Sequence, residues 1–415
     1  MLLQGRLLID PERIPEPGWV RTEGDVIVEI GEGDPPLDGE MIDAGGPECI
    51  ICPGFIDAHL HLPQFDVVGC DGQSLMQWLD NIVYPAEMKW ADQSVAIRQT
   101  LSAYRRMLAS GTLGFAGYLT SHHHAVMAAT KAAHQIPLRG IVGQVLMDQM
   151  APSELLNQLE ARLNRSEKGR LDTSLNPRFA LACSERLLAQ TGQRFNEGFP
   201  FSFKQREAGE MGTRLFLQTH LAETENEVTQ VRELYPDDDH YAGVYDRHGL
   251  LSENTLLAHC LHLCDAEWDL IAKRDCVVVH CPGANTFLLS GVFDLNTIRE
   301  RSIRLALGSD IAAGCDLAMP RVARSMIEMA KMRRMTIDPK THVPSGAEAW
   351  TMITRGNADA LGFHDMGRLE VGASADLLVL RVPFEVDGYL IDKLIHTWRE
   401  NYISSRVLRG NSMHS

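Results

Sequence analysis

Long apolar runs are missing from this sequence: no stretch approaches the roughly 20 consecutive apolar residues that a membrane span needs, so no membrane partner is expected. The opening, Met1 to Glu12, has too short an apolar part for a secretory signal and meets charge at once. Positive charge is in short supply too. With 39 Lys and Arg against 55 Asp and Glu, the formal net charge is −16. A surface of that average sign repels polyanions, which argues against nucleic acid or anionic lipid as partner. Cysteine follows no framework spacing; its nine scattered residues fit reduced thiols in the cytoplasm better than a disulfide scaffold. Cys49 and Cys52 form one isolated CxxC. With no second pair to follow, Cys49-Ile-Ile-Cys-Pro-Gly-Phe-Ile-Asp reads as a strand entering a barrel rather than a zinc or redox motif.

What is present is enough for a large core. The chain has 415 residues, 45% of them hydrophobic, and a (β/α)₈ barrel uses about 250. Residues 1–52 read as short strands and turns: a first run from Gly5, a second from Asp25, and a third at Met41-Ile-Asp-Ala. From Pro53 apolar strand-like runs alternate with amphipathic helices, the pattern of parallel βαβ units. Eight strands are expected, at 55–59, 112–118, 139–146, 179–183, 215–220, 255–259, 277–280 and 304–309. Ile97, Leu101, Tyr104 and Leu108 recur at helical spacing before a Gly111 cap. Asp265 is expected to cap a helix carrying Trp268 and Ile271, and another helix is expected over 347–361. The stretch from Ser325 to Met332, rich in Met, reads as an amphipathic core helix. Strand texture returns at 367–380 and at Val407. The fold class is therefore α/β: a TIM-type barrel over 53–365 beside a small β-sandwich domain built from both termini, 1–52 and 366–415.

The chemistry gathers at the expected strand ends. In Pro53-Gly-Phe-Ile-Asp-Ala-His59-Leu-His61 the two histidines are i and i+2 on one strand, so both can face one metal. His220 ends the fifth strand, His259 the sixth, and Asp310 follows the eighth. Imidazole and carboxylate together suit Zn²⁺ or Fe²⁺, and barrel enzymes place catalytic groups at this end of their strands. Glu223 lies three residues past His220. A metal ion lowers the pKa of its water toward neutrality. Asp310 could then accept the water proton, Glu223 serve as a general acid, and His259 orient the nucleophile. Arg178 offers fixed donors to a carbonyl oxygen. His122, His123 and His124 read as a solvated loop near the rim, His280 as packing behind the ligands, and Asp237 to Asp239 as a solvated acidic loop.

The runs Pro53 to Gln64, Gln218 to Val228, Leu256 to Cys260, Val278 to Gly291 and Gly308 to Gly314 resemble the successive signatures of the amidohydrolase superfamily. Leu75 to Glu87 and Asn176 to Glu185 are similar to segments of its guanine deaminase branch, and Gly367 to Leu380 extends the likeness. The resemblance implies that His59, His61, His220 and Asp310 hold one divalent metal per subunit, zinc before iron, with Glu223, His259 and Asp310 catalytic. It implies that Gln64, Arg178 and Glu223 bind a small-molecule purine, with Trp78 and Phe179 as apolar pocket walls, in a homodimer. No lysine stands at the expected end of strand four, which implies a mononuclear site. Gly283-Ala-Asn285, Asp310-Ile-Ala-Ala-Gly and Thr112-Leu-Gly depart from the branch without removing a ligand. Deamination of 8-oxoguanine, a pterin or cytosine, and dechlorination of triazines, are the neighbouring alternatives; a non-catalytic scaffold would be expected to have lost ligands.

Overall fold

A computed structural model describes residues 1–36, 42–156, 170–198 and 215–413. Its centre is a parallel barrel of eight strands: Phe55–His61, Thr112–Tyr118, Arg139–Gly143, Leu171–Pro177, Leu215–Leu221, Thr255–His259, Val277–His280 and Arg304–Leu307. These are strands one to eight below, and neighbours in sequence are neighbours in the sheet. Strands one, two, four, six and seven are buried at every residue, as parallel strands covered on both faces must be.

Strand four corrects the expectation for 179–183. That apolar run is buried but forms a short 3₁₀ turn at Ala180–Ala182, after the strand has ended. The strand itself is Leu171-Asp-Thr-Ser-Leu-Asn-Pro, whose polar side chains are bonded inside the barrel. Gln218 donates to Ser174 Oγ at 2.8 Å, and Asn176 donates to the Gly143 carbonyl at 3.2 Å. A strand whose inward side chains are polar and bonded to the neighbouring strands carries only a weak apolar signal of its own. Leu171 to Arg178 holds no lysine either. The third expected strand is split, with Val145–Leu146 pairing strand four as a separate two-residue ladder.

Strands eight and one do not share a regular ladder. The gap is closed by Asp310 N–H to the His59 carbonyl (2.8 Å), His61 N–H to the Ile311 carbonyl (3.0 Å) and Ser309 N–H to Asp57 Oδ1 (2.9 Å). Asn357 stitches the same seam lower down: its Nδ2 donates to Ile56 O (2.6 Å) and Leu307 O (2.8 Å), and its Oδ1 accepts from Leu307 N (2.8 Å).

Helix Gln93–Ser110 is capped by Asp92 and ended by Gly111 at φ 86°, where Ile403 and Leu378 leave no room for a Cβ. In Asp265–Lys273 the cap position is held by Cys264, not Asp265: Glu267 accepts from Cys264 N–H at 2.8 Å, so the acid at the third helical position closes the helix start. The helix expected over 347–361 is interrupted by a π turn, Met352–Gly356. In Met319–Thr336 the buried face carries Met326 and Ile327, whereas Met332 and Met335 are exposed, so the Met-rich stretch is only partly core.

The terminal strands join in one mixed sheet, ordered Val26–Glu32, Glu16–Glu23, Leu2–Leu7, Ala44–Pro53, Leu377–Leu380, Ile403–Leu408, Asn411–Met413. Of the run expected from Met41, Met41 lies outside the described residues, and the strand begins at Ala44. Alternate residues face two different cores: Leu3, Ile51, Leu377 and Val379 one, and Ile50, Cys52, Leu378 and Leu380 the barrel side. The sheet turns back on itself where Val26 bridges Ser374 and Ile27 N–H meets the Ala373 carbonyl at 2.9 Å. Cys49 and Cys52 point to opposite faces as buried free thiols, which is incompatible with one shared metal. No helix among the described residues is long and apolar enough to cross a membrane.

Candidate active site

Strand one delivers His59 and His61 to the same side because their spacing is two; their ring centroids lie 5.1 Å apart, with the planes at 85°. His220 comes from strand five, its Nδ1 2.6 Å from the Arg178 carbonyl. That carbonyl can only accept, so the proton sits on Nδ1 and the Nε2 lone pair faces inward. His259 is set the same way by Asn285, whose Oδ1 lies 2.9 Å from His259 Nδ1. His259 and Asp310 have φ of 71° and 52°. Left-handed backbone is costly for such residues; here it turns the chain off the strand direction just where each side chain must point over the barrel.

The result is a convergence of lone pairs. Asp310 Oδ1 lies 3.4 Å from His59 Nε2 and 3.3 Å from His61 Nε2, and His61 Nε2 is 3.3 Å from His220 Nε2. One ligand atom from each of His59, His61, His220 and Asp310 falls within 4.8 Å of all the others, and all four residues are buried or nearly so. His59 Nε2 has no hydrogen-bond partner. Buried imidazoles aimed at one point with an orphaned nitrogen need a cation to offset their desolvation, and this donor set fits a divalent metal. Burial holds the His61 imidazole down to about 4 and His220 well below its usual range, so both are neutral, the ligating form. Burial would raise Asp310, but the close approach of the His59 and His61 imidazoles holds it well below the usual carboxylate range.

Glu223 faces this cluster across His259, whose Nε2 is 3.5 Å from Glu223 Oε2 and 3.7 Å from Asp310 Oδ2. Burial and the Asp310 charge push the Glu223 carboxyl up to about 8, despite a 3.3 Å bond from Ser290 Oγ. It is a protonated acid at neutral pH beside an ionised one, the division of roles that acid–base chemistry requires.

A cavity of about 440 Å³ opens above these groups and is lined also by Gln64, Trp78, Arg178, Phe179 and Leu288. Arg178 follows strand four directly and is buried; its Nη1 donates to both oxygens of Glu87, at 3.0 and 2.9 Å. Gln64 donates to Glu87 Oε1 at 3.3 Å and accepts from Ala312 N–H at 3.2 Å. Trp78 is anchored by its indole N–H on the Cys70 carbonyl at 3.0 Å.

A model of the amidohydrolase family matches residues 50–411. The chain is 32% identical to the guanine deaminase of Escherichia coli K12 over 362 residues, 83% of this chain and 78% of that one. The chain belongs to the amidohydrolase family, in its guanine deaminase branch. A 5-methylthioadenosine/S-adenosylhomocysteine deaminase of Halobacterium salinarum is also 32% identical, over 88% of this chain and 81% of its own length. Among solved structures, an E. coli guanine deaminase superposes with a TM-score of 0.86 at 26% identity, covering 100% of this chain and 99% of that one.

Some chemically suggestive residues of this amidohydrolase stay away from the cavity. His122 and His124 stack on each other at 5.7 Å, and His124 bonds the Trp90 carbonyl, away from the lining. His280 stacks on Phe293 at 4.5 Å behind the ligands. Asp238, expected in a solvated loop, is a nearly buried side chain paired with Arg247 at 2.8 Å. Conversely, sequence reasoning misses Glu87, Asn285 and Ser290 as site residues. Glu87 ends the branch-like segment from Leu75, and Asn285 falls in one of the departures from the branch. Nothing local marks either as a partner of a group nearly 30 or more residues away.

Proposed function

We propose that the protein is a guanine deaminase that hydrolyses guanine to xanthine and ammonia. The observation that carries this is the meeting, in one buried cavity, of a metal-fitting His/Asp cluster, a buried Glu223 and an Arg178–Gln64 edge. His59, His61, His220 and Asp310 would hold one divalent ion, zinc before iron. When bound, such an ion supplies Lewis acidity that brings the pKa of water down to about 7.

The chain's own groups then divide the work. Arg178 and the Gln64 amide hydrogen-bond the carbonyl edge of the purine, while Trp78, Phe179 and Leu288 exclude water from its faces. Asp310 Oδ2 accepts a proton from the attacking water, and His259 Nε2, set by Asn285, steadies the oxygen that develops charge. Glu223 delivers its proton to the ring nitrogen beside the carbon under attack; the proton taken up by Asp310 passes to the amino group, which leaves as ammonia, and the hydroxyl proton at that carbon returns to Glu223 as the carbonyl forms. The reading also carries a homodimer in the cytoplasm, with domain boundaries at 1–52 with 366–415 and at 53–365.

Ammonia release from guanine by the zinc-loaded protein, followed with the absorbance change to xanthine, is the test. Methylthioadenosine, 8-oxoguanine, a pterin, cytosine and a chlorotriazine are run beside it. Preference for any of these over guanine overturns the proposal.

A further inference from the structure

Two groups on the cavity wall depend on a third that does not reach it. Glu87 lies in the Tyr84–Met88 turn, fully buried and outside the cavity lining. Its carboxylate takes Arg178 Nη1 on both oxygens, at 3.0 and 2.9 Å, and Gln64 Nε2 on Oε1 at 3.3 Å. Among the described residues it is the only carboxylate paired with Arg178. The far end of the Gln64 amide accepts from Ala312 N–H at 3.2 Å, two residues past Asp310. An amide has an oxygen and a nitrogen end, and these two partners fix which is which. Tyr84, three residues before Glu87, lies against the guanidinium with its ring 5.2 Å from Cζ. One short turn therefore sets the orientation of both polar groups that the cavity offers to a ligand edge.

We propose that Glu87 is a positioning residue for substrate recognition, holding Arg178 and Gln64 in the orientation that reads the carbonyl edge of guanine. This rests on the guanine reading above. The charge balance supports it: an Arg neutralised by Glu87 offers directional donors to a neutral carbonyl, whereas a lone buried Arg would favour an anion. Arg also binds by a fixed planar fork, so a guanidinium free to turn loses ligand contact without any change at the reacting carbon.

The test is steady-state kinetics on zinc-loaded wild type and Glu87→Gln, with bound metal quantified in each. The expected result is a KM for guanine raised at least about tenfold, with kcat within about threefold and metal content unchanged. A role confined to folding would lower the active fraction, and so apparent kcat, while leaving KM alone. In a double-mutant cycle, adding Arg178→Gln to Glu87→Gln should raise KM less than about twofold further, because both act through one contact. If Glu87→Gln fails to fold, Glu87→Asp keeps the charge and shortens the reach, and its KM should still rise several-fold. A KM within twofold of wild type in the folded variant overturns the inference. Wild type that releases no ammonia from guanine overturns the functional reading itself, and the inference with it; turnover by wild type with an unmoved KM in the variant overturns the inference alone.

Discussion

The two sides of the cavity are built differently. The metal-facing side is made from barrel strands and the residues just past their ends: His59, His61, His220, His259 and Asp310. Each is placed by backbone already bonded into a parallel sheet. The recognition side is made from what lies between the strands: Gln64 and Trp78 from the segment after strand one, and Arg178 and Phe179 from the bend after strand four. Of these, Arg178 and Gln64 are held by the Glu87 carboxylate, and Trp78 by the Cys70 carbonyl. Rigid strands place the groups that must meet at one point to a fraction of an ångström, and connecting segments carry the part that can differ between substrates.

That contrast can be broken at several places. The largest effect is expected from Asp310→Asn, which removes a proposed ligand and the proposed proton acceptor together. Turnover should fall by at least about 10³-fold, and near-normal kcat would end the assignment. Glu223→Gln comes next: kcat should drop about 10² to 10⁴-fold with metal retained, and loss of metal would mean that Glu223 is a ligand rather than an acid. The wild-type pH profile tests the same residue. Its carboxyl is raised to about 8 and the proposed mechanism uses it protonated, so activity should hold below that value and decline as pH climbs through it. The Gln variant should lose that limb.

Gly308→Ala probes the strand side without replacing any of the proposed ligands. A Cβ there would fall 2.6 Å from His59 Cβ and 3.0 Å from His59 N. Overpacking of this kind costs about 1 to 3 kcal/mol, read as a lowered Tm together with weaker zinc retention. Unchanged metal affinity would show that the strand end tolerates movement. The smallest effect is expected on the other side, from Trp78→Phe. Losing the bond to the Cys70 carbonyl removes about 1 kcal/mol, so KM should rise a few-fold with kcat and metal content unmoved. A fall in kcat instead would place Trp78 with the chemistry.

Much of the metal-facing side is legible in the sequence. A spacing of two on an apolar strand fixes that His59 and His61 share a face, and repeated strand-end polar groups fix which end of the barrel is chemical. Strand four is not legible in this way: its alternate side chains Asp172, Ser174 and Asn176 are polar, with Ser174 and Asn176 bonded to the neighbouring strands, while the apolar Phe179 to Cys183 is a buried turn. Asn285 and Glu87 escape sequence reasoning for a related reason. Each owes its role to contacts distant in the chain, 26 residues away for Asn285 with His259, and 91 and 23 for Glu87 with Arg178 and Gln64, and no local pattern encodes partners at such distances.

The sequence by itself pointed to the α/β barrel and to the candidate ligand types, because periodicity and spacing are properties of neighbouring residues, and its motifs resemble those of the family. The tertiary structure alone decided which carboxylate is ionised and which protonated, how strands eight and one are joined through Asp57 and Asn357, and what holds Arg178 and Gln64. Those depend on burial and on distances between residues far apart in the chain, and both exist only once the barrel has closed.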